Sequence, residues 1–104
     1  MKGESMKEKQ MDLKTQYQRL SDTLDQAYER ASAGKGFERH ANNKPFEEQD
    51  ICEELRIFNS VSPALFQSRK KVKESIRLPK EEGINELLDA IVYLSAAVIF
   101  LEES

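Results

Sequence analysis

Residues 84–101, INELLDAIVYLSAAVIFL, decide the fold, because this stretch is apolar around almost its whole circumference. Only Asn85, Glu86, Asp89 and Ser95 interrupt it, while Tyr93 is half polar. The length of the run favours a helix over a strand. A helix that is apolar on every side is normally buried. We therefore expect a central, C-terminal helix around which the rest of the chain is arranged.

Three shorter segments with helical periodicity precede this stretch. Between residues 11 and 31, apolar side chains recur at steps of three and four, which places them on one face of a first helix. A second helix is expected from about Pro45 to Asn59, and a third from about Ser62 to Leu78. No segment alternates with period two. The sequence therefore predicts an all-α fold, a small bundle of about four helices with the hydrophobic C-terminal helix at its centre.

The third of these helices has two chemically different faces. Its cations, concentrated in the RKKVK run at 69–73, are expected to face solvent. We expect its large apolar side chains to be buried against the bundle, and these are Leu65, Phe66, Val72 and Ile76.

The length and composition of the chain limit the classes of protein to which it can belong. A chain of 104 residues suits one domain, and we expect a charged tail at 1–10 and a single helical domain at 11–104. The net charge of −3 argues against nucleic acid as the main partner. A single cysteine, Cys52, and a single histidine, His40, exclude an intramolecular disulfide and a zinc site of the usual kind. Cys52 is expected to be a small buried side chain.

We also predict where the protein works and in what state. The first twelve residues contain no apolar leader, and the low-polarity run at 87–101 is shorter than the ~20 residues of a membrane-spanning helix. We therefore expect a cytoplasmic protein without a membrane partner. The final helix has more apolar circumference than three short amphipathic helices can cover, so we also predict a homo-oligomer.

Two carboxylates on this apolar helix, Glu86 and Asp89, need an explanation, because burying an unpaired carboxylate is costly. The second helix carries Asp50 and Glu54 along one edge. If the two helices pack together, the four acids converge on one divalent cation, and Mg²⁺ prefers such oxygen ligands. A structural alternative is that Glu86 stabilises its helix dipole and Asp89 pairs with the basic third helix.

The segment ELLDAIVYL resembles the E-x-x-D helix of the all-α NTP pyrophosphatases, the MazG and dimeric dUTPase-like group. In that group, acids on two helices hold Mg²⁺ over a nucleoside triphosphate, which is hydrolysed between its α- and β-phosphates. Glu86 and Asp89 match the second acidic motif, and the resemblance covers roughly residues 47–101. The first motif, E-x-x-E in the family, is replaced here by Glu47-x-x-Asp50 or Asp50-x-x-Glu53.

A basic connection, GKGFERHANNKPF at 34–46, joins the first two helices. Its glycines expose backbone N–H groups and its cations suit phosphate binding. The candidate phosphate ligands are Lys35, Arg39, His40 and Lys44, together with Lys71 of the third helix if that face borders the acids. The alternative is a helix-capping glycine followed by a solvated loop.

The leading functional hypothesis is a Mg²⁺-dependent protein that handles nucleotides. Its enzymatic form is a pyrophosphohydrolase that converts nucleoside triphosphates to monophosphate and pyrophosphate, with the catalytic residues unassigned. Two alternatives stay open. One is a non-enzymatic helical oligomer that sequesters a phosphorylated nucleotide, and the other is a small adaptor or inhibitor of a protein target.

Overall fold

The structure, a computed structural model, describes residues 15–33 and 44–104. Within these ranges the chain forms four α-helices and no strand, which confirms the all-α prediction. The elements are α1 (Gln18–Ala33), a short 3₁₀ helix (Phe46–Glu48), α2 (Asp50–Phe58), α3 (Ser62–Arg77) and α4 (Lys80–Glu102). The predicted tail at 1–10 and most of the basic connection at 34–46 lie outside the described residues.

Helix α4 occupies the centre of the bundle and packs against each of the other three helices. Its 23 residues extend about 35 Å at 1.5 Å per residue. The main core lies where α4 meets α2 and the first turn of α3, and it is formed by Cys52, Leu55, Ala64, Ala96 and Ala97. The apolar C-terminal run is therefore the central helix, as the sequence predicts.

Small residues allow α3 and α4 to pack closely. Ala64 and Ser68 are the buried positions of α3, and Ala90 faces them from α4. The Ser68 hydroxyl donates to the Ala64 carbonyl at 2.8 Å and lies 3.4 Å from the Ala90 carbonyl oxygen. Because this hydroxyl finds its acceptors in the backbone, it can be buried without a side-chain partner.

The large apolar residues of α3 are exposed, so the prediction that they are buried is wrong. The exposed fractions are 47% for Leu65, 66% for Phe66, 46% for Val72 and 81% for Ile76. The physical reason is that Ala64 and Ser68 occupy the contact with α4, which leaves the larger side chains outside this contact. A considerable apolar surface therefore remains uncovered by the part of the chain that the structure describes.

Helix α2 begins later than the sequence indicates. Gln49 has an extended backbone and separates the 3₁₀ helix from α2. As a consequence Glu47 and Glu48 lie in the 3₁₀ helix, while Asp50 and Glu53 occupy the first turn of α2, where acids stabilise the helix dipole.

The connection between α2 and α3 is a tight turn at Asn59 and Ser60. Asn59 adopts the left-handed conformation, with φ of 51°, which asparagine tolerates better than most residues. The Ser60 hydroxyl accepts a hydrogen bond from the Ser62 backbone N–H at 3.0 Å. Ser62 is the first residue of α3, where the sequence predicts the third helix to begin, and Val61 precedes it.

Arg56 connects α2 to the end of α4. Its Nε and Nη2 donate to the two carboxylate oxygens of Glu103 at 3.2 and 3.1 Å, and its Nη1 donates to Glu53 at 3.3 Å. The hydrogen bond to Glu103 raises the pKa of Arg56. Because these groups lie at the surface, the bridge contributes little to stability and mainly orients the helix end.

Cys52 is 3% exposed, so the prediction of a small buried side chain is confirmed. Burial raises the pKa of the thiol, because the thiolate would lose its hydration. The thiol therefore stays protonated at neutral pH and is a poor nucleophile.

One helix among the described residues, α4, is long and apolar enough to cross a membrane by length and composition alone. The core helix of a soluble protein passes the same test. The helix has 23 residues, whereas the prediction that it does not span a membrane was based on the 15 residues at 87–101. The absence of a membrane partner therefore stays a prediction.

Gly83 is required where the start of α4 crosses the last turn of α3. A Cβ at this position would lie 2.9 Å from the Ser75 carbonyl oxygen, closer than such atoms approach. This carbonyl has no helical donor, because the residue four positions later is Pro79, which lacks an N–H group. The backbone of α4 can therefore approach it only through a glycine.

Replacing Gly83 by alanine is expected to lower the free energy of unfolding by about 1 kcal/mol, measured by urea denaturation. Alanine gains about 1 kcal/mol of helix propensity, but overpacking costs about 1–3 kcal/mol, so the clash prevails. Asn85→Ala, on an exposed position of the same helix, is the matched control and is expected to stabilise slightly. Stabilisation by Gly83→Ala would show that α3 and α4 are farther apart than described.

Candidate functional site

A cleft of about 620 Å³ lies between α2 and α3, and Tyr93 of α4 reaches it. We call it the α2–α3 cleft. Its α2 side includes Asp50, Glu54 and Phe58, which share one helix face because they are four positions apart, and Ile51 beside them. The rest of the lining consists of Leu55, Ser60, Ser62, Pro63, Ala64, Phe66, Gln67 and Tyr93. The volume is typical of small-ligand sites.

Aromatic side chains form much of the wall of this cleft. Phe58 is 64% exposed and Phe66 is 66% exposed, while Tyr93 is half-buried. Rings that are free on one face can stack on a planar ligand, and each stacked base contributes about 1–3 kcal/mol in nucleic-acid complexes. The cleft therefore offers an aromatic surface that nothing within the described chain covers.

Asp50 and Glu54 are the two charged side chains among the described residues that line the cleft. Both are exposed, and they lie one turn apart on α2. Like charges at this spacing repel each other weakly, by about 0.2–0.5 kcal/mol in helices. A cation placed between them would remove this repulsion, so the pair favours a positively charged ligand.

Glu86 and Asp89 lie in a different environment, a group of four charged side chains that we call the ion cluster. The Asp89 carboxylate accepts two hydrogen bonds from Arg30, at 2.8 Å from Nε and 3.1 Å from Nη2. Lys71 Nζ lies 3.4 Å from Glu86 Oε2 and 3.7 Å from Asp89 Oδ2. The structural alternative for Asp89, an ion pair with the basic third helix, is thus present.

Arg30 is the member of the ion cluster that the sequence analysis missed. It lies three residues after Ala27, the buried position of α1, and therefore on the inner face of that helix. The hydrogen bond to Asp89 raises the pKa of Arg30. Its position beside the apolar stripe of α1 could have identified Arg30 in the sequence, because a cation at the inner edge of a helix needs an acidic partner.

The two pairs of acids do not form one metal site within this chain. Within the ranges 15–33 and 44–104, no three histidine, cysteine, aspartate or glutamate side chains are grouped so that they could hold a metal ion. Asp50 and Glu54 face the cleft, whereas Glu86 and Asp89 face Arg30 and Lys71. A four-carboxylate Mg²⁺ site is therefore not assembled here, and Mg²⁺ binding by the cleft pair stays a prediction.

The ion cluster lies one helical turn from the cleft. Lys71 follows the cleft residue Gln67 by four positions on α3, and Asp89 precedes the cleft residue Tyr93 by four positions on α4. Residues four apart are neighbours on a helix surface, about 5–6 Å between Cβ atoms. Lys71, predicted as a phosphate ligand, therefore borders the cleft while it pairs with acids.

Most of the predicted phosphate-binding connection cannot be placed, because Lys35, Arg39 and His40 lie outside the described residues. Lys44 is described and exposed, and its backbone carbonyl accepts a hydrogen bond from the Gln49 side chain at 2.9 Å. This contact attaches the end of the connection beside the first turn of α2, which carries Asp50. The basic connection therefore joins the fold at one end of the cleft.

Comparisons with protein-family models, with curated proteins and with solved structures find no match for this chain. The resemblance to the all-α NTP pyrophosphatases therefore stays a prediction.

Proposed function

We propose that this protein is a cytoplasmic, homo-oligomeric nucleotide-binding protein that holds a nucleotide together with Mg²⁺ in the α2–α3 cleft. The observation that carries the proposal is the combination, in one cleft, of an exposed aromatic wall and a pair of carboxylates. An aromatic wall suits a nucleobase, and a carboxylate pair suits the cation that accompanies its phosphates.

Phe58 and Phe66 would hold the base in this arrangement. Both rings are largely exposed and border the same cleft, and Tyr93 adds a phenolic hydroxyl that can donate or accept a hydrogen bond. Stacking tolerates any base, so these residues would select for a nucleotide without choosing among nucleotides.

Asp50 and Glu54 would hold Mg²⁺. Proteins commonly bind Mg²⁺ through one or two carboxylates, and water and substrate phosphates complete the octahedron. The pair therefore fits the ion even though no third acidic ligand is grouped with it among the described residues. When bound, the ion would neutralise the negative charge of the phosphates.

The phosphates would extend toward Lys71, which lies one turn from the cleft. Lys44 is described beside the start of α2, and the other predicted phosphate ligands, Lys35, Arg39 and His40, lie outside the described residues. Arg30 and Lys71 already pair with Asp89 and Glu86, and these acids match the second acidic motif of the pyrophosphatases. We therefore propose that the protein binds the nucleotide without hydrolysing it, because hydrolysis by that motif would require both acids to leave their cationic partners.

Calorimetric titration with a panel of nucleoside triphosphates, in Mg²⁺ and in EDTA, tests this function. We expect binding in Mg²⁺, loss of affinity in EDTA, and recovery of intact nucleotide after denaturation. Asp50→Asn combined with Glu54→Gln should weaken binding at least about tenfold, or 1.4 kcal/mol. Glu48→Gln, at an exposed acid outside the cleft, should leave affinity unchanged. Release of pyrophosphate would instead support the enzymatic form of the hypothesis.

A second candidate function is an adaptor or inhibitor that binds a cationic, amphipathic segment of another protein. The observation that favours it is the sign of the charge, because both charged residues of the cleft lining are acidic. Such a segment could place apolar side chains against Phe58 and Phe66 and a lysine or arginine between the acids. In the same titrations this function predicts no nucleotide binding, and affinity for basic amphipathic peptides that survives EDTA.

A further inference from the structure

Helix α4 carries an apolar stripe that the rest of the described chain leaves largely exposed, and we call it the α4 seam. The seam consists of Ile84, Leu87, Ile91, Leu94, Val98 and Leu101. Ile91 is half-buried, and the other five are 39–61% exposed. Leucine, isoleucine and valine at these exposures are costly to leave in water, at about 25 cal/mol per Å² of apolar surface. The rest of the described chain, residues 15–33 and 44–104, therefore leaves much of the seam open to a partner.

The spacing of the seam indicates the kind of partner. Its six residues follow one another at steps of three, four, three, four and three, which is the a/d pattern of a heptad repeat. The a positions, Ile84, Ile91 and Val98, are all β-branched. The d positions, Leu87, Leu94 and Leu101, are all leucine. This division favours two-stranded pairing of helices, and contact with lipid would impose no such order.

A separate stripe on α4 serves the packing within the chain. Gly83, Ala90 and Ala97 are also seven residues apart, and all three are buried. Position 83 meets Ser75 and position 90 meets Ser68, so this stripe is occupied by α3. Because intramolecular packing uses its own row of small residues, the adjacent row of large residues is left for another molecule.

Exposed apolar residues of α3 extend the seam on the same side of the α3–α4 contact. Lys71 marks one flank of the buried face of α3, since it reaches Glu86 and Asp89. On the opposite flank lie Leu65, Val72 and Ile76, all exposed. On α4 the small-residue stripe likewise separates Glu86 from the seam. Both sets of large apolar residues thus lie together, away from the ion cluster.

We propose that two copies of this chain pair through the α4 seam, which packs against the same seam of the second copy. The interface is isologous, because one self-complementary stripe meets itself across a two-fold axis. No charged side chain lies within the seam, so pairing leaves no buried charge without a partner. This inference identifies the interface of the homo-oligomer named in the proposed function, and it does not rest on nucleotide binding, because no seam residue lines the cleft that holds the Asp50–Glu54 pair.

Sedimentation equilibrium of the full chain tests the pairing. We expect the native chain to sediment at twice its 12.0 kDa mass at micromolar concentration. Leu94→Glu places two carboxylates at the middle of the paired seam and should raise the dimer dissociation constant at least about 100-fold. Ile57→Glu is the matched control, since Ile57 is 72% exposed on α2 and outside the seam, and it should stay dimeric. A native chain that sediments as a monomer overturns the proposal.

Cysteine cross-linking covers the case in which Leu94→Glu fails to fold. In the parallel pair that this a/d division favours, residue 94 of one copy faces residue 94 of the other, so Leu94→Cys should cross-link under mild oxidation. Ile57→Cys and the native chain, in which Cys52 is buried, should give no cross-linked species. Absence of a Leu94→Cys cross-link overturns the proposal. So does a monomeric native chain that floats with vesicles of phosphatidylcholine and phosphatidylglycerol, which would assign the seam to a membrane.

Discussion

Replacing Asp89 by alanine is expected to lower the free energy of unfolding by about 2 kcal/mol. The change removes the acceptor of two hydrogen bonds from Arg30 and a neighbour of Lys71, which leaves two partly buried cations with one carboxylate between them. Removing one partner from a fully buried pair costs about 3–5 kcal/mol. The Arg30 side chain is 37% exposed, so water screens part of the loss and a value below that range, about 2 kcal/mol, is expected. Urea denaturation measures the change.

The matched control for Asp89→Ala is Glu53→Ala, which removes one of the carboxylates that pair with Arg56 at the surface. Arg56 keeps both of its hydrogen bonds to Glu103, so a change of no more than about 0.5 kcal/mol is expected. Equal effects of the two substitutions would contradict the structural role of the ion cluster. Loss of Mg²⁺ affinity in Asp89→Asn without loss of stability would instead assign Asp89 to a metal site, as the pyrophosphatase resemblance implies.

Replacing Leu55 by alanine is expected to lower the free energy of unfolding by about 2–5 kcal/mol. Leu55 is 1% exposed and is the largest fully buried side chain among the described residues, in the core between α2, α3 and α4. Small domains have total stabilities of about 5–15 kcal/mol, so this one cavity removes a considerable part of the total. Thermal and urea unfolding should both report the loss.

Ile57→Ala provides the comparison for Leu55 on the same helix. Ile57 is 72% exposed, so its truncation should change the free energy of unfolding by less than about 0.5 kcal/mol. If Ile57→Ala were as destabilising as Leu55→Ala, the face of α2 that contacts α4 would be assigned wrongly. The α2–α3 cleft, which depends on that face, would then also have to be redrawn.

Local sequence was sufficient for the helices and for the central position of α4. The periodicity and the turn residues at Asn59 and Pro79 predict the ends of α2 and α3 to within a few residues, because they depend on neighbours in the chain. The beginning of α2 was less predictable. Pro45 starts a separate 3₁₀ turn, and only the extended backbone of Gln49 shows where the α-helix begins.

Periodicity alone was misleading for the inner face of α3. It favours the large residues, such as Leu65 and Ile76, whereas the buried positions are Ala64 and Ser68. The choice depends on how closely α3 approaches α4, and this distance is set by Gly83, Ala90 and Ala97 on the other helix. A single-helix pattern contains no information about the size of the residues that face it.

For the candidate site as well, the sequence predicts which acids share a helix face, and only the tertiary structure shows which side chains they meet. That Asp50 and Glu54 share an edge of α2, and that Glu86 and Asp89 share a face of α4, follows from helical spacing in the sequence alone. Whether the two pairs meet is a question of tertiary structure. The structure places Arg30 and Lys71 against the second pair and leaves the first pair facing a cleft.

The sequence by itself determined that the chain is all-α, that its C-terminal helix is central, and that Cys52 is buried, because these depend on local periodicity and on hydrophobicity. Tertiary structure alone decided which cation meets Asp89 and which face of α3 is inside, because both depend on the distance and rotation between helices remote in sequence. Arg30 and Asp89 are 59 residues apart, and no local pattern specifies their contact. The six residues of the α4 seam lie in the sequence as a heptad repeat, but only the packing of α1, α2 and α3 around α4 showed that the described chain leaves five of them exposed and one half-buried.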